Sequence, residues 1–272
     1  QEEFQARVVE PFLSDYQAGR TPNPCISCNQ EVKFDLLLRK ARSIGAAALA
    51  TGHYARTARD GNAFRLLRAI DPGKDQSYVL YGLGQEELAV ARFPLGTWHK
   101  VAVRARAREL GLITADKPDS VEICFVTGGD YRDLLAHRRA DSGGEIRHVE
   151  GLSLGTHNGV WNYTVGQRSG LGALPKGITG PLFVVDIDAS SRVVTMGPRD
   201  SLRQDRVEVG EMSFIAGKAP ASSFEAAVRV RYGAAAVPAR VELAGEAQTA
   251  TVAPHEPLGA GSPGQAAVLY DG

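Results

Sequence analysis

From Phe4 the apolar residues Val8, Phe12 and Tyr16 recur every four positions, the spacing of one helix face. Pro11 is expected to kink or divide that helix, and Gly19 is placed to close it. The next stretch, Arg20-Thr21-Pro22-Asn23-Pro24-Cys25-Ile26-Ser27-Cys28, carries two prolines that push their preceding residues extended, which predicts a loop lasting until Asn29 caps a second helix. Phe34, Leu37, Leu38, Ala41 and Ile44 share one face of that helix, and Gly45 stands at its end. Residues 46–51 predict a short strand of small residues, with Gly52-His53-Tyr54 leaving its carboxyl end, the edge where open α/β sheets place ligands. A strand over 64–70, a turn at Asp71-Pro72-Gly73 and helices over 85–91 and 99–110 continue an alternation of α and β.

Beyond about residue 137 the periodicity changes. Residues 182–187 and 192–196 alternate as a hairpin around 188–191, and further strands are predicted over 226–232, 239–243, 248–252 and 266–270. Such spacing, with Gly and Pro between strands, points to a small barrel or sandwich distinct from the α/β part. No internal repeat is visible.

Composition adds exclusions. Hydrophobic residues make up 43% of the 272 residues and charged residues 23%, ordinary for a globular chain and long enough for two domains. The 31 Lys and Arg balance the 31 Asp and Glu, so no global field draws the chain to nucleic acid or membrane and a polyanion must be met by a local patch. Cations do crowd residues 36–74 and the 99–110 helix, a pattern that by itself reads as a solvated helix face rather than a phosphate-binding surface. No apolar run approaches the roughly 20 residues of a membrane span, and the first residues lack a signal-peptide order, so the default location is the cytosol.

Three cysteines do not make a disulfide framework. Cys25 and Cys28 form a C-x-x-C, and Cys124 lies far downstream in the apolar run Val121-Glu122-Ile123-Cys124-Phe125-Val126. Zinc would want four ligands, and neither a second C-x-x-C nor an H-x-x-x-H is present. A thioredoxin-like dithiol would start a helix, yet prolines crowd the wrong side. A third reading pairs a loop cysteine with Cys124 across a cleft, one carrying sulfur and the other attacking. Taken alone, Cys124 reads as an inert thiol buried in a strand.

Seven blocks then share one resemblance. Thr21-Pro22-Asn23-Pro24-Cys25-Ile26-Ser27-Cys28-Asn29, Ala50-Thr51-Gly52-His53-Tyr54-Ala55-Arg56, Lys74-Asp75-Gln76-Ser77-Tyr78 and Lys117-Pro118-Asp119-Ser120 through Ile123-Cys124-Phe125 resemble the tRNA-specific 2-thiouridylases. Tyr163-Thr164-Val165-Gly166-Gln167-Arg168, Arg229-Val230-Arg231-Tyr232 and Pro263-Gly264-Gln265-Ala266-Ala267-Val268 continue the likeness in the same order. It implies an α/β fold: a partial nucleotide-binding (PP-loop ATPase-like) domain over 1–136, a small central domain over 137–200 and a C-terminal β-barrel over 201–272. It also implies ATP-dependent transfer of sulfur to C2 of the wobble uridine of tRNA, through adenylation of the base and a cysteine persulfide. ATP with Mg2+ would be the cofactor, and tRNA and a persulfide sulfur-donor protein the partners, with no membrane and a cytoplasmic location.

By the same resemblance Cys124 would carry the persulfide and Cys28 would be the other catalytic cysteine, the two closing into a disulfide when sulfur leaves. Asn23, Pro24 and Cys25 would meet the target base. Other members carry Asp in place of Cys25, which marks its thiol as dispensable. Gly52 would lie against ATP. His53, Lys74, Asp75, Gln76, Arg231, Tyr232 and Gln265 would contact tRNA, although without the likeness His53 reads as a structural histidine and the others as turn or surface residues.

One departure stands out: the family's S-G-G-x-D-S phosphate loop is absent, and Ser142-Gly143-Gly144-Glu145 has neither a strand before it nor Asp-Ser after it. The chain also stops short of the family's usual last strand. It is therefore expected to be an N-terminally truncated copy that does not adenylate tRNA by itself. The alternatives are a noncatalytic tRNA-binding remnant and a dithiol redox or zinc protein.

Overall fold

The structure is a computed structural model that describes residues 1–119, 123–126, 131–136, 143–168, 180–245 and 248–271. Ser120, Val121 and Glu122 of the cysteine-bearing run, Ser142 of the glycine pair, and residues 137–142 at the expected first domain boundary lie outside the described residues.

Helical backbone runs unbroken from Glu2 to Gln17. Glu2–Phe4 and Glu10–Gln17 are α-helical, and Gln5–Val9 between them is π-helical, the Glu10 amide reaching back five residues to the Gln5 carbonyl. This widened turn just ahead of Pro11 makes room for the proline ring, so the expected break does not occur. Gly19, at φ 73°, ends the helix as expected, with the Arg20 amide bonded to the Asp15 carbonyl and the Gly19 amide to that of Tyr16.

Phe12, Leu13 and Tyr16 bury their faces outside the α/β part. They share a core with Leu135, Ile146, Trp161, Val184, Val194 and Met196, so the first helix packs on the sheet of the middle unit. That sheet has the order Ser153–His157, Gly144–His148, Val193–Gly197, Phe183–Asp188. Its second half is the expected hairpin, and its centre is a parallel pairing of Gly144–His148 with Val193–Gly197. Only Ile146 of Gly144–His148 is buried, which is why no alternation announced that strand.

In the first unit only Leu49–Ala50 of the expected 46–51 strand pairs, in parallel with Ala91–Arg92. Ala55–Asp60 and Ala63–Arg68 form an antiparallel hairpin around Gly61; its first strand was not foreseen. Helices Gln85–Val90 and Lys100–Glu109 follow the sequence pattern. Ile26, Phe34, Tyr78, Leu80, Leu88 and Phe93 form the core here, and Val268 of the last strand joins them.

The third unit is an antiparallel five-stranded sheet in the order Val268–Tyr270, Ser223–Arg229, Val237–Ala244, Thr249–Pro254, Val207–Val209. Val228, Val241 and Val252 centre its core. An α/β unit followed by β structure is what the change of periodicity predicts, and two successive β units are what the resemblance implies.

Candidate active site

The prolines do not delay the second helix. Asn23 is extended at φ −109° and its Oδ1 accepts the Cys25 amide at 3.1 Å, making it the N-cap, with Pro24 in the first turn of Pro24–Ser27. Proline at that place forfeits no helical bond and its fixed φ suits the helix. Asn29, expected as the cap, is instead buried within the helix, and its Nδ2 donates to the Val79 carbonyl at 2.9 Å. The loop is also gripped by the third unit: the Thr21 amide donates to the Pro263 carbonyl at 2.7 Å, and Gln265 Nε2 to the Thr21 carbonyl at 2.6 Å.

This start of the helix leaves Cys25 exposed and Cys28 half-buried. Cys124 lies on a turn closed by the Val126 amide on the Ile123 carbonyl at 3.0 Å. The expectation of a buried strand cysteine fails, because Phe125 is drawn edge-on to Phe4 and Phe12, with ring centroids 5.8 Å and 5.4 Å away, and Val126 is buried. Cys124 is left facing solvent, and all three thiols are free.

The turn nevertheless lies near enough to the C-x-x-C for the charge of Cys124 to act on both of its thiols. Burial first, and then the neighbouring Cys124, push the Cys25 thiol above its ordinary value even though its surface is open; Lys33 opposes both. Burial likewise raises Cys28, against Lys33 and with Cys124. One electrostatic neighbourhood thus holds all three sulfurs, brought together from the two ends of the α/β unit.

Gly52 is exposed at the carboxyl end of Leu49–Ala50. A Cβ added there would meet only Leu95 Cδ1, at 3.9 Å, an ordinary contact, so nothing inside the protein demands glycine. That fits a position kept bare for a ligand approaching from outside. His53 is buried, with Nδ1 2.8 Å from Thr51 Oγ1. Burial and then Lys33 lower its pKa to about 4, which leaves it a neutral imidazole. Among the described residues no group of three or more His, Cys, Asp or Glu side chains is arranged to hold a metal.

The positions expected at tRNA divide in two. Lys74 stays half-exposed with its Nζ 2.9 Å from Asp119, which also receives Lys100 at 3.0 Å and Arg104 at 3.4 Å. Those cations hold the Asp119 carboxyl far below the usual carboxylate range. Tyr232 is exposed, edge-on to Tyr78, and feels the charges of Asp75, Cys25 and Lys74 after the burial that raises its pKa.

The remaining groups turn inward. Asp75 is buried, and its carboxylate accepts the Ala69 and Ser77 amides and the Ser77 hydroxyl. Gln76 exchanges hydrogen bonds with the Tyr54 backbone. Arg231 donates to the Val165 carbonyl at 3.0 Å and to Ser262 Oγ at 3.1 Å, and Gln265 holds Thr21. Sequence reasoning also passed over Lys33, whose only sequence signal is a cation one turn after Cys28, and it gave Asp119 no role. A cleft of about 1470 Å³ between the 55–68 hairpin and the third unit is lined by Asn23, Ile26 and Ser27 but not by Cys28 or Cys124.

An α/β unit whose helix start and returning turn gather cysteines, followed by two β units, agrees with three family models. Residues 1–128 match a "tRNA methyl transferase HUP domain", 132–198 a "tRNA methyl transferase PRC-barrel domain" and 204–272 an "Aminomethyltransferase beta-barrel domain". Curated relatives narrow the class. The tRNA-specific 2-thiouridylase MnmA of Roseiflexus sp. (strain RS-1) is 44% identical over all of this chain and 77% of its own length. The protein of the same name from Geobacter metallireducens is 48% identical over all of this chain and 73% of its own length. The chain belongs to the tRNA-specific 2-thiouridylase family.

Proposed function

We propose that the chain is a tRNA-uridine 2-sulfurtransferase that replaces the C2 oxygen of the wobble uridine by sulfur. The observation that supports this reading is that Cys124, from a distant turn, is near enough to Cys28 and to Cys25 of the Asn23-Pro24-Cys25 loop for its charge to act on both. A uracil oxygen leaves poorly, so ATP would supply the adenylyl group that lets it depart as AMP; Gly52 would lie against the nucleotide, and Mg2+ would come with the ATP. The target base is held against Asn23, Pro24 and Cys25.

A sulfur-donor protein leaves Cys124 as the persulfide Cys124-S-SH, and the exposure of Cys124 suits that delivery. The Cys28 thiolate attacks Cys124 Sγ, the bond to the outer sulfur breaks, and the outer sulfur leaves as hydrosulfide. Hydrosulfide adds at C2 and AMP departs. Cys28 and Cys124 end as a disulfide, which an external thiol reopens with two electrons. Lys74 suits phosphate and Tyr232 a stacked base, while Asp75, Gln76, Arg231 and Gln265 brace that surface. No helix among the described residues is long and apolar enough to cross a membrane, and a tRNA substrate suits a cytoplasmic reaction.

The test uses cells whose own gene for this chain carries Cys28→Ser or Cys124→Ser. 2-Thiouridine in their digested tRNA is expected at background, while Cys25→Asp retains most of it. Thiolation surviving in either serine variant refutes the relay. Retained tRNA binding with no thiolation in the unaltered strain points to a binding protein instead.

A further inference from the structure

Lys33 is a half-buried ammonium whose two polar contacts are both neutral. Its Nζ donates to Asn29 Oδ1 at 2.9 Å and stands 3.5 Å from His53 Nε2, and among the described residues it has no carboxylate partner. Holding such a cation without an anion is costly. Its neighbours do not relax the arrangement: Asn29 is tied to the Val79 carbonyl and His53 to Thr51. The bracket therefore fixes the ammonium one helical turn from Cys28 and leaves its charge uncompensated.

We propose that Lys33 is the counter-charge for the sulfur anion formed at Cys28, a positioning residue for the sulfur relay proposed above, on which this inference rests. The helix Cys28–Leu37 carries both groups, so their spacing survives movement of the 123–126 turn. Arg7 on the neighbouring helix, by contrast, is paired with Glu3, Glu31 and Asp35. The charged groups that reach Cys28 support the same reading: Lys33 from its own helix favours the thiolate, and Cys124 from the 123–126 turn disfavours it. Cys25 faces the same two groups, and His53 from the strand exit titrates near pH 4, outside the range in which a thiol ionises. The step itself is the loss of the thiol proton to water, with no redox partner.

The test is the pH dependence of Cys28 alkylation by iodoacetamide in the whole chain, read at Cys28 by peptide fragmentation so that Cys25 and Cys124 are separated from it. Lys33→Met and Lys33→Gln are expected to move the midpoint up by about one pH unit and to slow alkylation at neutral pH about five- to tenfold. Lys33→Arg, which keeps the charge, should recover at least half of the shift. Having two neutral variants covers the case in which one does not fold, which melting curves reveal. Profiles of the folded neutral variants that coincide with the unaltered chain overturn the proposal. So does an arginine variant shifted as far as the methionine one. The relay is judged separately by 2-thiouridine. An unshifted profile with thiolation still dependent on Cys28 sinks only the role of Lys33, whereas a shifted profile with Cys28→Ser still thiolating sinks only the relay.

Discussion

Asp75→Ala decides whether the Lys74-Asp75-Gln76 turn touches RNA through Asp75 or is braced by it. The carboxylate is 8% exposed. Its Oδ1 accepts the Ala69 amide at 3.0 Å and the Ser77 amide at 3.3 Å, and its Oδ2 accepts the Ser77 hydroxyl at 2.8 Å. Arg229 Nη1 of the third unit lies 3.6 Å from Oδ2, and that guanidinium shares the Tyr270 ring with Arg68. Alanine would strand the Ala69 and Ser77 amides and leave the Arg229 guanidinium without its carboxylate, while the Ser77 hydroxyl keeps the Tyr270 hydroxyl at 3.2 Å. Breaking a buried pair costs about 3–5 kcal/mol, and because the arginine contact is loose the lower end applies, about 3 kcal/mol. For a chain of this size that lowers the melting temperature by roughly 6–12 °C. Asp75→Asn keeps an acceptor at Oδ1 for the two amides but puts an NH2 donor where Oδ2 accepts the Ser77 hydroxyl and faces Arg229, so about 1–2 kcal/mol is expected. The assay is thermal unfolding followed by far-UV circular dichroism, together with tRNA binding at a temperature where every variant is folded. An Asp75→Ala chain that melts within about 1 °C of the unaltered one and yet loses tRNA affinity would refute the brace and restore a direct contact.

His53 makes stability depend on pH with a definite sign. Its folded pKa of about 4 lies below the ordinary 6.5, so the unfolded chain binds the proton first, and stability falls as pH drops from about 6.5 to 4 and levels off below. The full effect is about 3 kcal/mol. The stability difference between the unaltered chain and His53→Gln, measured by urea unfolding, should shrink by about 2–3 kcal/mol between pH 7.5 and 4.5; a difference that stays constant would show that His53 is not held neutral. Gly52→Ala should leave melting unchanged, since the new Cβ meets only Leu95, while lowering 2-thiouridine in cells that carry it. A fall of several degrees in melting temperature would mean that the fold, and not a ligand, requires the glycine.

What could be read from the sequence was local. The Val8, Phe12, Tyr16 stripe and the hairpin of Phe183–Asp188 with Val193–Gly197 depend on near neighbours, and both appear where the periodicity puts them. Pro24 shows the limit of that reasoning. A proline can close off a helix or open one, and here the choice rests on one side-chain bond, Asn23 Oδ1 to the Cys25 amide, which residue types alone do not reveal. The facing of Cys124 is a harder case, because it follows from Phe125 finding Phe4 and Phe12 more than a hundred residues upstream.

The same non-locality governs the residues expected at RNA. A polar side chain in a motif can meet a ligand or hold the surface that meets it, and the partner decides between the two. Gln265 donates across 244 positions to the Thr21 carbonyl, two residues before the cap that sets the direction of Cys25 and Cys28. Arg231 clasps the middle unit at Val165 and its own unit at Ser262. The conformation of the Asn23-Pro24-Cys25 loop therefore depends on the third unit as well as on its own residues. Motif blocks far apart in the chain then make physical sense together, because Gln265 fixes the backbone of the loop at Thr21 and Arg231 ties the third unit to the middle one at Val165.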